Sequence, residues 1–515
     1  MKRIIAMLTV AGVLFCSWPA QIQAAQEKDS KAAETAADEK ASETAGQTAD
    51  VSAAKDNIVT TKHSAVIQGK NIPYTAEAGT MVLESAGKAC EMFYVAYTRD
   101  DVKNVKERPI TFAFNGGPGA SCFYIQLGCM GPRRSDMDEN GIVKTFPAKI
   151  VDNENSLLDM TDLVFIDPVG TGYSRALNED EAAEFYGYEG DIRSVGDFIR
   201  QYINRHKRWG SPKYIAGESY GTTRAVGLCA YLSDQYSVFV NGLMLISSAN
   251  DYYALEKIGS NEISYADYVP TFAADAWYHG RLSKEYQDRE LEDYLEEVRS
   301  FVETELWSAL FMGKKLTAER REAVAEKLSG YIGVSKEFVL KNNLRITLED
   351  FSSELLKDKK LMVGRIDGRI TGPVTEGSLG DGASDPSAFM TDISLLGPYL
   401  DYVTSELGYE TDRPFIPLSS DVNIAWDFGD SMPSQEETIY DCMSHNPYLK
   451  VWVLCGYYDG ATPFYAAEWM FNHVFLNEDV EDNLQFTYYH SGHMIYMEKN
   501  SFDKFRKDAE KWYKR

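Results

Sequence analysis

The sequence predicts an α/β fold in which a mostly parallel central sheet is covered by helices on both faces. Short apolar runs alternate with helical patterns between about 109 and 246, an alternation typical of parallel sheets. Strand character returns near 451, after a long charged and helical stretch. The run Gly217-Glu218-Ser219-Tyr220-Gly221 lies between an apolar strand and a helical pattern. Together these observations indicate one sheet interrupted by a long insertion.

Two segments precede the predicted domain, which spans residues 57–515. Residues 1–24 have the features of a secretory signal, namely a basic start, a short apolar core and a small residue at the end. Residues 25–56 are predicted to be a disordered acidic and alanine-rich linker, because they lack the aromatic side chains that a core needs. We therefore expect a secreted or periplasmic protein. A lipid anchor on Cys16 is less favoured, because bulky Phe15 precedes it.

The bulk composition excludes some classes of partner. A formal charge of −26 argues against binding nucleic acid or an anionic membrane surface, since both need a cationic face. No stretch after the signal is apolar enough to suggest stable membrane insertion. The cysteines that remain after signal cleavage show no zinc spacing and are expected to be small buried groups: Cys90, Cys122, Cys129, Cys229, Cys442 and Cys455. We expect no metal or organic cofactor, and the oligomeric state stays open.

The strands predicted before the insertion fall into two groups. Alternating runs separated by glycine-containing turns suggest an antiparallel start over Ala65–Ile67, Met81–Glu84 and Glu91–Tyr97. Buried-type strands follow at Pro109–Asn115, Leu163–Asp167, Tyr214–Ala216 and Gly242–Ile246. A helix is predicted over Asp191–Arg205 from its apolar face, and another from Thr222 onward.

The stretch from about 260 to 430 is predicted to be a largely helical insertion that caps the strand ends. Charged, helical segments occupy Lys284–Phe311, Thr317–Tyr331 and Phe351–Lys359. Gly364–Asp385 is rich in glycine and aspartate and is predicted to be an irregular loop. Sheet strands return at Val451–Leu454 and Gln485–Tyr489, and a closing helix starts at Ser501.

Ser219 is the candidate nucleophile. A serine between glycines at a strand-to-helix turn is held in a strained conformation that exposes its hydroxyl. The alternative is a glycine-rich turn with a buried serine. A second small-residue loop, Gly116-Gly117-Pro118-Gly119, follows the strand at Pro109. Its backbone amides can approach a ligand oxygen, which favours an oxyanion hole over an ordinary tight turn.

A serine nucleophile needs a base and an acid, which in this kind of fold follow it in the order acid, then histidine. Asp459 lies in a loop after the Val451 strand, although its neighbour Gly460 would also suit a simple turn. His493 lies beside a glycine after the Gln485 strand. His490 is the competing base, but it is predicted to belong to the strand.

These motifs together resemble the serine carboxypeptidases, peptidase family S10, and in particular their bacterial branch. The resemblance rests on Asn115-Gly116-Gly117-Pro118-Gly119, Gly217-Glu218-Ser219-Tyr220-Gly221, the Asp459 loop and Gly492-His493. It covers most of the chain from about Asn57 and is weakest in the cap. It implies an α/β-hydrolase fold and an enzyme that releases C-terminal residues from peptide substrates.

Residue roles follow from that resemblance. Ser219, Asp459 and His493 would be the catalytic triad, and the amides of Gly117 and Tyr220 would form the oxyanion hole. An esterase or an acyltransferase could use the same machinery, because chemistry is grafted onto folds. A non-catalytic binding protein is a further alternative, which the intact motifs disfavour.

The resemblance also implies a site for the substrate's terminal carboxylate, at Asn115 and Glu218. Eukaryotic members carry a second glutamate that braces the first, and here that position holds Cys129. Arg133 and Arg134 follow closely and could supply positive charge, although a surface ion pair is the simpler expectation.

Overall fold

The computed structural model describes residues 54–256, 261–374, 385–429 and 434–514. The predicted signal at 1–24, Cys16 and nearly all of the 25–56 linker lie outside these residues. The first strand begins at Asn57, where the linker was predicted to end.

The centre of the protein is one long mixed sheet. Its nine principal strands are β1 (Asn57–Ile67), β2 (Lys70–Ser85), β3 (Lys88–Arg99), β4 (Ile110–Phe114), β5 (Asp162–Ile166), β6 (Lys213–Ser219), β7 (Gly242–Ser248), β8 (Lys450–Gly456) and β9 (Leu484–Tyr489). Their spatial order is β1-β2-β3-β5-β4-β6-β7-β8-β9. The first three strands and β5 pair antiparallel, and all pairs from β5 to β9 are parallel. The predicted antiparallel start and parallel sheet are thus confirmed, with longer initial strands than the apolar runs suggested.

Both faces of the parallel part are buried, which explains its nearly continuous apolar strands. On β5, Val164 and Ile166 pack on one side with the Tyr188–Arg205 and Tyr220–Tyr236 helices. Leu163 and Phe165 point to the opposite side. That second face packs on residues of three helical segments: Tyr124–Met130, Pro386–Asp401 and Lys499–Lys514. The chain therefore has the two-sided α/β arrangement that was predicted.

The described parts of the predicted insertion are mainly helical. Its α-helices are Ile263–Asp267, Val269–Tyr278, Lys284–Gln287, Leu291–Phe301, Trp307–Met312, Ala318–Ile332, Lys336–Lys341, Leu348–Glu354, Pro386–Asp401 and Ser420–Ile424. Wider π-type turns cover Val302–Leu306 and Tyr402–Glu406, and 3-10 turns cover Gly313–Lys315 and Lys357–Lys359. Outside the insertion lie the 3-10 turn Glu179–Phe185 and the helices Tyr252–Leu255, Glu436–His445, Phe464–Asn472 and Glu478–Glu481.

The loop predicted at Gly364–Asp385 is more ordered than expected at its start. Thr371–Pro373 forms a short antiparallel pair with Leu361–Val363, which closes residues 364–370 into a tight connection. Residues 375–384 lie outside the described part of the chain. Two further short pairs join Arg133–Ser135 to Ile150–Asp152, and Arg175–Ala176 to β3.

The expectation that the cysteines are buried is confirmed for five of the six described ones. The six described cysteines are free thiols, and all are buried except the half-buried Cys442. In the ranges that the structure covers, no helix combines the length and hydropathy needed to span a bilayer.

Candidate active site

Ser219 occupies a strained turn at the end of β6. Its φ of 60° and ψ of −132° place a non-glycine residue outside the usual regions, which is typical of functional positions. A Cβ at Gly217 would lie 2.0 Å from the carbonyl oxygen of Gly221, so the turn needs glycine there. The helix begins at Tyr220, two residues earlier than predicted. The turn therefore has the strand–serine–helix geometry of a nucleophile elbow.

Asp459 and His493 are hydrogen-bonded to each other. His493 Nδ1 lies 2.8 Å from Asp459 Oδ2. The Asp459 Oδ1 atom accepts from the N–H groups of Ala461 at 2.8 Å and Thr462 at 2.9 Å, and the Thr462 hydroxyl donates to Oδ2 at 2.7 Å. Asp459 is fully buried, and His493 is nearly so. This arrangement fixes the carboxylate, and among the described residues His493 Nε2 has no hydrogen-bond partner.

Neighbouring strands bring Ser219 and His493 to the same edge of the sheet. Ser219 is paired with Ser248 on β7. The adjacent Ser247 hydroxyl donates a hydrogen bond of 2.5 Å to the backbone oxygen of His493. Among the described residues, the hydrogen bonds of the His493 ring are made by Nδ1, to Asp459 and Thr462, and none joins the ring to the Ser219 hydroxyl.

The environment of His493 favours its protonated form. Burial alone lowers the pKa of an imidazole, but the Asp459 charge and hydrogen bond, followed by the Glu218 charge, outweigh it. The pKa of His493 is therefore raised above its ordinary value, against a smaller opposing effect of Arg365. A base held in this way can accept a proton and stabilise the imidazolium that results.

The Gly116–Gly119 loop lies against the start of the Tyr220–Tyr236 helix. A Cβ at Gly116 would be 2.4 Å from the backbone nitrogen of Tyr220, so the two backbones are in close contact. Gly117 adopts a φ of +99°, which favours glycine. The Tyr220 N–H belongs to the first helical turn and has no intrahelical acceptor. The loop that carries Gly117 therefore adjoins the Tyr220 backbone through Gly116, and an oxyanion hole formed by the Gly117 and Tyr220 amides stays a prediction.

Asn115 and Glu218 form a buried pair next to Ser219, the candidate nucleophile. Asn115 Nδ2 donates to Glu218 Oε1 at 2.8 Å, and Asn115 Oδ1 accepts from the Ile125 N–H at 3.0 Å. Burial raises the pKa of Glu218 to about 7, with Asp459 adding to the rise, while His493, Tyr496 and Asn115 oppose it. Glu218 is therefore protonated at mildly acidic pH and can then donate a hydrogen bond.

Cys129 lies close to Glu218, as the resemblance implied. The pKa of Glu218 is nevertheless raised without a glutamate at position 129. The pKa of the buried Cys129 thiol is raised by desolvation and then by the Glu218 charge, so the two groups are close. Burial is the largest cause of the raised pKa of Glu218 and the Asp459 charge adds to it, so the rise does not depend on a carboxylate at position 129. Burial and then the Glu218 charge raise the pKa of Tyr496, so Tyr496 is a close neighbour of Glu218 that sequence reasoning missed.

The remaining candidates lie in other surroundings. Arg133 forms ion pairs with Asp152 and with Glu406, in agreement with the expectation of an ion pair rather than a charge offered to the substrate. Arg134 packs over the Phe502 ring at 4.6 Å. His490 was wrongly assigned to the strand, since β9 ends at Tyr489. Its Nε2 lies 2.9 Å from Glu292 Oε1 in an exposed pair, away from Asp459.

Sequence reasoning also missed Thr462 and Ser247, which support the acid and the base. The pattern Asp459-Gly-Ala-Thr462 carried a usable signal for the first of them. An aspartate followed three residues later by threonine suits a local turn in which the carboxylate accepts backbone and hydroxyl hydrogen bonds. Nothing in the local sequence signals Ser247, because its contact with His493 comes from strand order.

Comparisons with known proteins agree with this geometry. Residues 68–506 match the family model described as serine carboxypeptidase. The pheromone-processing carboxypeptidase KEX1 of Saccharomyces cerevisiae is 33% identical over 137 residues, which is 25% of this chain and 18% of that protein. Serine carboxypeptidase-like 8 of Arabidopsis thaliana is 25% identical over 151 residues, or 29% of this chain and 33% of that protein. The matched segments thus span only a minor part of these relatives.

A solved structure shows the same fold over a longer range. The crystal structure titled Kex1(delta)p, a prohormone-processing carboxypeptidase from Saccharomyces cerevisiae, superimposes with a TM-score of 0.54. The match has 17% sequence identity and covers 84% of this chain and 92% of that chain. The fold is therefore the α/β-hydrolase fold with a helical insertion. With a family model matched over most of its length, the chain belongs to the serine carboxypeptidase family.

Proposed function

We propose that this protein is a serine-type carboxypeptidase that hydrolyses the last peptide bond of its substrates. Asp459 orients His493, and His493 Nε2 takes the proton from Ser219 as the hydroxyl attacks the scissile carbonyl carbon. The amides of Gly117 and Tyr220 stabilise the oxyanion. His493 then returns the proton to the leaving amine, and water hydrolyses the acyl-enzyme. The hydrogen bond of 2.8 Å between His493 and Asp459 supports these roles.

The observation that carries the proposal is the buried Glu218 carboxyl beside Ser219. An esterase needs only the triad and the oxyanion hole, whereas a carboxypeptidase must also hold a free carboxylate one residue beyond the scissile bond. With a pKa of about 7, Glu218 is largely protonated at mildly acidic pH and can donate to that carboxylate. Asn115, already bonded to Glu218, has a second amide hydrogen to donate.

The setting of the reaction is part of the same proposal. Residues 1–24 support export, to the exterior or the periplasm, where peptides would be the substrates. Cys129, at the position of the second glutamate of eukaryotic members, supports a place in the bacterial branch. The acidic overall charge favours neither nucleic acid nor anionic membrane as a partner.

The test is product analysis by mass spectrometry on a mixed peptide library. The proposal expects stepwise loss of single residues from the C-terminus and no internal cleavage. Turnover of small esters without any peptide product would instead support an esterase, and transfer of an acyl group to an added alcohol or amine would support an acyltransferase. Absence of turnover together with no fluorophosphonate labelling of Ser219 would support the non-catalytic alternative.

A further inference from the structure

A short segment of the insertion lies directly across the loops that carry Asp459 and His493. We call residues 364–370 the strap. The His493 N–H donates to the Ile366 carbonyl at 2.7 Å, and the Gly460 N–H donates to the Arg365 carbonyl at 3.0 Å. In return, the Gly368 N–H donates to the Tyr458 carbonyl at 2.9 Å. The strap is therefore hydrogen-bonded to the acid loop and to the base loop at once.

Two loop glycines are explained by this contact. A Cβ at Gly492 would lie 2.4 Å from the Ile366 carbonyl oxygen, closer than real Cβ atoms approach. A Cβ at Gly460 would lie 2.9 Å from Leu348 Cδ1 and 3.0 Å from the Arg365 carbonyl oxygen, and of these two the backbone oxygen belongs to the strap. Neither glycine has a positive φ. The glycines beside the candidate acid and base thus allow close approach of the strap rather than an unusual turn.

One side chain of the strap reaches both loops. Arg369 Nη1 donates to the His490 carbonyl at 2.8 Å, three residues before His493. Its guanidinium carbon also lies 5.4 Å from the centre of the Tyr458 ring, next to Asp459. A cation over an aromatic ring is attracted by the ring's quadrupole. Arg369 is only 14% exposed, so this interaction is shielded from solvent.

Asp367 holds that guanidinium in place. Arg369 Nε and Nη2 donate to the two carboxylate oxygens of Asp367 at 2.9 and 2.5 Å, which is a bidentate pair. Lysine cannot reproduce such a planar two-point contact. The orientation of Arg369 is therefore set within the strap, independently of the two loops that it contacts.

The strap is itself fixed to the insertion. Asp385 Oδ1 accepts from the Arg365 N–H at 3.1 Å, and Ser387 Oγ accepts from the Ile366 N–H at 3.0 Å. On its other side, His279 Nε2 lies 2.7 Å from the Gly368 carbonyl oxygen. The strap is a rigid bridge between the helical insertion and the two loops, rather than a free loop.

We propose that the strap is a positioning element for the candidate acid and base, and that Arg369 is its principal positioning residue. The proposal rests on the proposed function for the roles of Asp459 and His493, but not on the identity of the substrate. Because Arg369 acts through the loops and does not contact the reacting atoms, its loss should slow the chemical step without weakening substrate binding. A misplacement of about 1 Å in a catalytic group can cost on the order of 100-fold in rate.

The experiment compares Arg369→Gln, Arg369→Lys and the control Arg345→Gln. Arg345 also pairs with a carboxylate inside the insertion, since its Nε donates to Glu262 at 2.8 Å, but it makes no described contact with either loop. For each folded variant, kcat and KM are measured on a peptide, together with the rate at which a fluorophosphonate labels Ser219. The label reports nucleophile activation whatever the natural substrate is.

We expect Arg369→Gln to lower kcat and the labelling rate by about 10- to 100-fold, with KM changed by less than about threefold. Arg369→Lys should recover part of the loss, since it keeps the charge, and Arg345→Gln should resemble the wild type. Unchanged labelling in Arg369→Gln, or an equal loss in the control, would overturn the proposal. If Arg369→Gln does not fold, Asp367→Asn, which frees the guanidinium but keeps the backbone contacts, must show the same kcat-specific loss. If the wild type labels but cleaves no peptide, the proposed function fails while the labelling comparison still decides the role of the strap.

Discussion

Replacing Asp459 by asparagine should disable the histidine through its tautomer rather than through loss of packing. The side-chain oxygen of the asparagine must take the place of Oδ1, because the N–H groups of Ala461 and Thr462 donate to that position at 2.8 and 2.9 Å. The amide NH₂ then occupies the place of Oδ2, facing His493 Nδ1 at 2.8 Å. A donor at this position makes Nδ1 an acceptor and places the ring proton on Nε2.

With its proton on Nε2, His493 cannot accept the proton of Ser219. In a serine protease triad this tautomer error costs about 10⁴-fold in kcat. We expect about 10³- to 10⁴-fold here, which corresponds to about 4–5.5 kcal/mol of activation free energy. The assay is kcat on a peptide and on a small ester at the pH of best wild-type activity, with Asp136→Asn as a control for loss of a surface carboxylate paired with Lys144. A folded Asp459→Asn enzyme within tenfold of wild type would refute the tautomer argument.

Three other outcomes are expected. Ser219→Ala should abolish turnover and fluorophosphonate labelling. The thermal unfolding temperature should stay near that of the wild type, because alanine keeps the same Cβ in the strained turn. Residual activity above about 1% would contradict the assignment of Ser219 as nucleophile. Glu218, with a pKa of about 7, ionises as pH rises and then repels a substrate carboxylate, so kcat/KM for free-acid peptides should fall above about pH 7. Glu218→Gln should remove this alkaline fall in kcat/KM. A fall that persists in the variant would show that another group causes it. Cys129→Glu should shift the alkaline fall in kcat/KM to higher pH, since two close carboxyl groups share a proton. An unchanged pH profile would exclude coupling between positions 129 and 218.

The sequence alone predicted the parallel part of the sheet, and it proposed candidate site residues that the structure places at the carboxyl edge of that sheet. Strands β4 to β8 are buried on both faces, so their apolar runs are nearly continuous and easy to recognise. Ser219, Asp459 and His493 each lie at or just after the end of a strand, which is where neighbouring parallel strands bring side chains together. Their nomination as candidates therefore required local patterns and chain order only.

Other features depend on contacts between distant segments and could not be predicted. Burial of Glu218 raises its pKa, but burial is a property of the packed structure and not of the local sequence. The strap belongs to the glycine- and aspartate-rich stretch Gly364–Asp385 that was predicted to be an irregular loop, because composition does not reveal that strap carbonyl groups accept hydrogen bonds from Gly460 and His493. The hydrogen bond from the Ser247 hydroxyl on β7 to the His493 carbonyl also joins residues that are distant in sequence, so local patterns could not predict it.

The central claim, recognition of a free C-terminal carboxylate, is tested most directly by comparing one peptide in its free-acid and amidated forms. Loss of a charge-assisted hydrogen bond costs about 1.5–3 kcal/mol, so we expect amidation to lower kcat/KM by at least about tenfold below pH 7. Asn115→Ala should impair the free acid far more than a small neutral ester, because Asn115 contacts Glu218 rather than the triad. Equal cleavage of the free-acid and amidated peptides would contradict the carboxypeptidase assignment.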